Sequence, residues 1–238
     1  MSTYIKAIDW DSNFFSKNIG AVCNSKKVTS FELQQYELLM NKIDVKNADE
    51  LDRFLKLGFI FVEGEFVFTQ PISESYLQER IMLDESTLNY KAKEIDIPQV
   101  VALAESSYSN SRFRSPWFSI DEQKEFYGTW IRKAVLGEFD DICLVLKTAN
   151  EVQGYISLKK QDKKLNVGLI AVSPDYRGKG IAQRLIQLSF KYALENKCES
   201  ISVATQISNV SATNLYIKSG FTLINTNYWL YKTRTGKI

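Results

Sequence analysis

Apolar and polar positions alternate along this chain in segments whose periods name the elements. Leu51 to Phe68 is apolar and regular, whereas Ser73 to Asn89 is polar and mixed, so the pattern breaks just after Pro71. Tyr90 to Ile95 reads as a strand that opens a second unit. A helix follows around Pro98 to Tyr108, with proline in its first turn and Val101, Leu103 and Ala104 after it. Ser119-Ile120-Asp121-Glu122 has capping-box spacing and introduces a helix with Phe126, Trp130 and Ala134 on one face. Cys143 to Lys147 and Val152 to Leu158 then form a hairpin. Val167 to Val172 is a buried strand, and Ser173-Pro174-Asp175 is a turn. Ile181, Leu185, Leu188 and Tyr192 step along one helix face, and Ser200 to Ala204 is another strand. The expected organisation is an amino-terminal α/β unit over 1–72, a linker over 73–88 and a second unit over 89–238.

An internal repeat crosses that boundary. Leu51 to Phe59 followed by Ile60 to Phe68 parallels Thr213 to Phe221 followed by Thr222 to Leu230. Both read as a helix stopped at Gly-Phe that enters a β-hairpin. With Gly58 set on Gly220, Phe54 stands where the second copy has Tyr216. Any helix stopped by glycine before a strand looks similar, so the pattern admits either a true repeat, with a catalytically silent first half, or a common local motif.

Composition narrows the class. A chain of 238 residues with 45% apolar and 24% charged content buries one good core or two modest ones without staples. Cys23, Cys143 and Cys198 are odd in number and widely spaced, so neither a disulfide framework nor a metal knuckle is expected, and they read as buried thiols in a reducing cytoplasm. Thirty basic residues are balanced by twenty-eight acidic ones, which gives no argument for nucleic acid. Met1 to Trp10 lacks the apolar stretch of a signal peptide, and no run of eighteen apolar residues suggests a membrane span. There is no histidine at all. That removes imidazole-assisted nucleophiles and histidine-ligated zinc, and leaves direct transfer, with any base a carboxylate acting through water.

The chemistry concentrates in the last third. Arg177-Gly178-Lys179-Gly180-Ile181-Ala182 lies between a strand and a helix, in the order that a diphosphate cradle requires. Gly178 and Gly180 permit close backbone approach, the following helix offers unpaired N–H groups, and Arg177 and Lys179 add charge. A glycine turn with solvated basic residues is the plain alternative. The spacing fits neither a Walker loop nor a dinucleotide-binding turn. About thirty residues on, Asn209, Ala212, Tyr216, Gly220 and Phe221 form a second pattern. A thioester docked with its pantetheine amides along Ile170, Ala171 and Val172 would have backbone N–H groups of Leu169 or Ile170 for its oxyanion. The leaving thiolate needs a proton, and the Tyr216 phenol is the candidate acid, against a reading as a core tyrosine. Asn209 can bond cofactor amides or cap the next helix.

Together these segments resemble the GNAT N-acetyltransferase superfamily. The resemblance implies an α/β (α+β) fold with a mixed, mostly antiparallel central sheet, preceded by the smaller amino-terminal unit. It also implies acetyl-CoA as donor, held by residues 171–172, 177–182 and Asn209, and no metal.

The acceptor side is marked by Ser111-Arg112-Phe113-Arg114-Ser115-Pro116-Trp117-Phe118. Arg112 and Arg114 offer forks for phosphate and Trp117 a flat ring, although interhelical packing explains the aromatics as well. With Asp9 to Phe15, Leu57 to Phe59, Val62 to Glu65, Phe126-Tyr127, Trp130-Ile131, Val203 to Gln206 and Tyr228 to Tyr231, this segment is similar to the GNAT branch that acetylates dTDP-linked 4-amino-4,6-dideoxy sugars. That likeness implies a nucleotide-sugar acceptor for surface polysaccharide, a cytoplasmic homodimer, and Tyr216 as general acid. A peptide or small-amine acetyltransferase and a non-catalytic CoA-binding regulator are the rival readings; the paired arginines argue against the first and Tyr216 against the second.

Overall fold

The computed structural model describes residues 4–72, 90–109, 111–149 and 151–234. The linker expected over 73–88 lies outside the described residues. In chain order the elements are β1 (Ile5–Ala7), α1 (Asp9–Phe15), β2 (Ile19–Val22), α2 (Ser30–Leu33), β3 (Leu38–Asp44), α3 (Ala48–Lys56) and β4 (Ile60–Pro71). After the linker come α4 (Ile97–Ser107), α5 (Ile120–Leu136), β5 (Ile142–Lys147), β6 (Val152–Gln161), β7 (Lys164–Val172), α6 (Ile181–Glu195), β8 (Ser200–Gln206), α7 (Val210–Lys218) and β9 (Thr222–Thr233).

Among the described residues nine strands form one sheet in the order β1-β2-β3-β9-β4-β8-β7-β6-β5. The pairs are antiparallel except β2 with β3 and β7 with β8. The division at Pro71 therefore does not separate two sheets. β4 from the amino-terminal half lies between β9 and β8, and β9 from the carboxyl end lies between β3 and β4. One core packs α4 and α5 on one face, through Val100, Ile131 and Tyr155, and reaches Met40 and Tyr231 of the other half. A second packs α6 and α7 on the opposite face through Leu185, Leu188, Phe190 and Tyr216.

The repeat is carried by geometry as well as by sequence. The spacing of 162 residues that sets Gly58 on Gly220 also maps β3 onto β8, α3 onto α7 and β4 onto β9, end for end. Asn47 and Asn209 correspond, and each caps its helix by accepting the N–H three residues on, from Glu50 and Ala212. Gly58 and Gly220 share a left-handed conformation, φ 82° and 88°, that side chains resist. Ile60 pairs with Tyr231 and Thr69 with Thr222, so exchanging the copies reproduces the β4·β9 register. The expected hairpins are absent. Each copy instead sends out a single strand of 12 residues, because the partner is the equivalent strand of the other copy. The first copy has only the four-residue α2 between its parallel strands, where the second has the glycine turn and the 15-residue α6.

Tyr90 to Ile95 is not a strand. A single bridge joins Lys91 to Leu144, and a 3-10 turn takes over at Glu94–Asp96, where the Asp96 carboxylate accepts the Lys93 N–H at 2.8 Å and pairs with Lys147 at 2.7 Å. The capping box at Ser119 forms with both of its hydrogen bonds.

Candidate active site

The site begins where two parallel strands part. β7 and β8 pair only from Lys164–Ser200 to Val167–Val203, so the backbone after Val167 diverges from that after Val203 and leaves a wedge between them. A register shift on the β6 side, between Ile156 and Leu158, falls at the same level. Gly168 is required there, since a Cβ would collide with the Asp140 carboxylate and the Ser157 hydroxyl.

Ladder parity decides which groups face the wedge. Ser173 N–H bonds Gln153 O at 2.9 Å and Ala171 pairs with Tyr155, so alternate residues turn to β6 and those between them turn away. Ile170 and Val172 are the ones turned toward the wedge. Their carbonyls accept the Tyr108 hydroxyl at 2.9 Å and the Arg177 Nε at 3.4 Å. The Leu169 N–H is spent on the Ser157 hydroxyl at 2.9 Å and Ala171 faces β6, which leaves the N–H groups of Ile170 and Val172 on the wedge side.

Beyond the wedge, Ser173 and the 3-10 turn Pro174–Tyr176 lead into the glycine segment. Gly178 and Gly180 have φ of 74° and 77°, and no atom lies within 4 Å of where a Cβ would stand on either. The glycines supply conformation and leave the space above the turn open. Gly180 is the N-cap of α6 and offers no side chain, so the first N–H groups of the helix, from Ile181 and Ala182, receive no side-chain cap. Arg177 and Lys179 are exposed beside them, with Lys179 Nζ 5.1 Å from the Tyr176 ring. Left-handed turn, uncapped helix end, cations and outward-facing strand groups fit the diphosphate and amide groups of a CoA thioester.

Tyr216, on α7, is 2% exposed in the core beneath the sheet, with its ring 5.8 Å from those of Phe68 and Phe221. Burial pushes its phenol well above the usual range. Asn209 caps α7, its Oδ1 accepting the Ala212 N–H at 3.1 Å, which leaves its amide nitrogen for a ligand. Tyr108, at the end of α4, stacks on Tyr127 at 4.3 Å. Burial raises its phenol far above normal, and the nearby Tyr127 and Tyr216 phenols add to that effect. Nothing periodic in the sequence marked Tyr108; the serines around it, at 106, 107, 109 and 111, were the available signal. Ser107, Ser109 and Ser111 line, with Tyr108, one wall of a cavity of about 340 Å³, with Gln206, Ser208 and Asn209 on the other.

The arginine-aromatic segment is built differently from the expectation. Trp117 is 8% exposed and packs edge-on against Tyr231 at 5.3 Å, so it offers no open ring. Its ring lies 5.4 Å from the Arg114 guanidinium, and a closer pair forms on β9, where Arg112 stands 3.8 Å above Trp229, with Phe113 4.0 Å from the same guanidinium and a hydrogen bond from Arg112 to the Tyr231 hydroxyl at 2.6 Å. Arg114 is exposed and donates to the Val62 carbonyl at 3.2 Å. Asp11 lies close enough to Arg112 to feel its charge, yet burial still raises its carboxyl above normal. Among the described residues no cluster of Cys, Asp or Glu is arranged to hold a metal, and no helix is long and apolar enough to cross a membrane.

The model of the acetyltransferase (GNAT) family matches residues 101–221. A dTDP-fucosamine acetyltransferase of Escherichia coli O6:H1 is 33% identical over 233 residues, spanning 96% of this chain and 97% of that one. A spore coat polysaccharide biosynthesis protein of Bacillus subtilis is 32% identical over 60% of this chain and 49% of its own. Among solved structures, a tandem GNAT protein from the clavulanic acid biosynthesis pathway covers 91% of this chain and 75% of its own, with a TM-score of 0.58 at 9% identity, a likeness of fold alone. Parted strands, a glycine turn on an open helix end, a buried tyrosine and a match along nearly the whole chain place this protein in the GNAT acetyltransferase family, as an acyl-CoA-dependent N-acetyltransferase.

Proposed function

We propose that this enzyme moves an acetyl group from acetyl-CoA to the 4-amino group of a dTDP-linked 4-amino-4,6-dideoxy sugar, by direct transfer in a ternary complex, during synthesis of a surface polysaccharide. The observation that carries the reading is the reach of the likeness to the dTDP-fucosamine acetyltransferase, 96% of this chain, including the amino-terminal half that borders the acceptor side. On the same reading it works in the cytoplasm as a homodimer.

Acetyl-CoA supplies the activated acyl group. Gly178, Gly180 and the N–H groups of Ile181 and Ala182 hold its diphosphate, helped by Arg177 and Lys179, while Val172 and Asn209 bond the pantetheine arm. The Ile170 N–H stabilises the developing oxyanion, a contribution of about 3 kcal/mol for one well-placed donor. Tyr216, kept protonated by burial, gives its proton to the departing thiolate. Arg112, clamped between aromatic rings, and the exposed Arg114 serve the nucleotide diphosphate. With no histidine to activate a nucleophile, the acceptor amine attacks the thioester directly and no acyl-enzyme forms.

The test is CoA release with mass-spectrometric identification of the product across dTDP- and UDP-linked amino sugars, peptides and polyamines. Acetylation of the dTDP-amino sugar alone is expected. Efficient acetylation of a peptide or polyamine, with the nucleotide sugar untouched, would reject the proposed acceptor.

A further inference from the structure

The cavity beside Tyr108 ends at a pair of side chains that the amino-terminal half completes. β4 runs past the end of β8, and there the Ile207 N–H bonds the Gly64 carbonyl at 2.9 Å, fixing the loop before α7 onto β4. Glu63 stands at that junction. One of its carboxylate oxygens accepts the Gly64 N–H at 2.9 Å, and the other accepts the Ser208 hydroxyl at 2.8 Å. Ser208 is part of the cavity wall.

A serine that donates its hydrogen to a carboxylate has only lone pairs left to offer a third group. Ser208 thus presents to the cavity an acceptor with a negative charge directly behind it. That arrangement favours an ammonium or amine over a hydroxyl, because hydrogen bonds involving charge are the stronger kind. The opposite charge is near at hand. Glu63 is the cross-strand partner of Trp229, so the two side chains share a face of the sheet, and Trp229 carries the Arg112 guanidinium 3.8 Å from its ring. An acceptor with an amine at one end and a phosphate at the other meets matching charges on neighbouring strands.

We infer that Ser208 and Glu63 are the amine-recognising pair of the acceptor site, with Ser208 touching the acceptor nitrogen and Glu63 acting through it as a positioning residue. An ammonium arriving there gives one proton to the Ser208 oxygen as Ser208 passes its own hydrogen to the Glu63 carboxylate. The nitrogen keeps the electron pair of the broken N–H bond, becomes neutral and nucleophilic, and Glu63 later returns the proton to solvent. The amino-terminal half, although it lacks a glycine turn of its own, in this way completes the active site. The inference rests on the acetyltransferase reading and requires an amine acceptor, but no particular sugar.

The experiment compares Glu63→Gln, Ser208→Ala and Ser208→Thr with the wild type, measuring both Michaelis constants and the pH dependence of kcat/KM for the acceptor. Glu63→Gln keeps the shape and the acceptor for Ser208 while removing the charge, so the KM for the amine should rise about tenfold or more at pH 7, with the KM for acetyl-CoA unchanged. Wild-type kcat/KM should stay level below the amine pKa, because the ammonium is the form that the pair accepts. The variant should instead follow the neutral amine alone, falling about tenfold per pH unit below the amine pKa and recovering above it. Ser208→Ala should behave like Glu63→Gln, and Ser208→Thr, which retains the hydroxyl, should restore the wild-type profile. An unchanged amine KM and pH profile in Glu63→Gln would overturn the inference, as would an equal loss toward acetyl-CoA. Should the nucleotide sugar prove inert, the same comparison on whichever amine is acetylated decides the pair separately from the sugar. If the wild type binds acetyl-CoA and acetylates no amine, both the pair and the proposed acceptor fall.

Discussion

Tyr216 holds the residue scale of the account together. Its burial raises the phenol, so the acid form persists through neutral and mildly alkaline pH. Replacing Tyr216 by Phe removes one hydroxyl and keeps the ring between Phe68 and Phe221, and kcat should fall about a hundredfold or more while acetyl-CoA affinity stays the same. The wild-type kcat should show no alkaline decline up to pH 10.0, the ordinary phenol value. Steady-state kinetics and isothermal titration check both statements. A second residue-scale prediction concerns Asp96. Burial pushes its carboxyl up, but the Lys147 ammonium and the Lys93 N–H outweigh burial and hold it below normal. Its stabilisation is therefore present above the unfolded-state value of 3.8 and is lost as pH falls through the lower folded-state value. Lys147→Met should cost about 2 kcal/mol in urea unfolding at pH 7, less than for a fully buried pair because Lys147 is partly exposed. The sequence displayed Gly178, Gly180, Asn209 and Tyr216 because each has a chemical reason to stand in its motif. It did not display Tyr108, Gly168 or Glu63, whose roles arise from strand parity, a local register shift and a contact 145 residues away.

At the scale of elements, the end of α6 is the part most open to a single test. Gly180→Asp places an L side chain at φ 77° and a negative charge before the uncapped N–H groups, and acetyl-CoA binding should be lost with the fold intact. Fluorescence titration with circular dichroism measures the two together; an unaltered affinity would remove the cradle. The cap of α5 supplies a stability counterpart, since Ser119→Ala should cost about 1 kcal/mol by denaturant unfolding. Helices and most strands were legible because their period and caps are local. Tyr90 to Ile95 misled because the Asp96 carboxylate captures the Lys93 N–H, which no apolar pattern records. The hairpins after Gly58 and Gly220 misled for a different reason: two long antiparallel strands from distant copies carry the same alternation as the arms of a hairpin.

For the whole molecule, the interleaving of the halves has a consequence for folding. β9 depends on β3 and β4 for both of its edges, and β8 has β4 beside it from Glu65 to Pro71. A fragment of residues 89–238 should therefore fail to fold alone, and the full chain should unfold in one transition by circular dichroism and by tryptophan fluorescence. Two separated transitions would instead support a division into two units at Pro71. The same interleaving sets Glu63 and Trp229 side by side on neighbouring strands of the two halves, with Arg112 over the Trp229 ring. The central claim is that this acceptor is an amino sugar carrying its nucleotide. It is tested most directly by the wild-type kcat/KM for the dTDP-linked 4-amino-4,6-dideoxy sugar against the same sugar without the nucleotide. Removing the nucleotide should lower kcat/KM by about a hundredfold or more, the loss of one or two charged phosphate contacts. Equal values for the two sugars would contradict it.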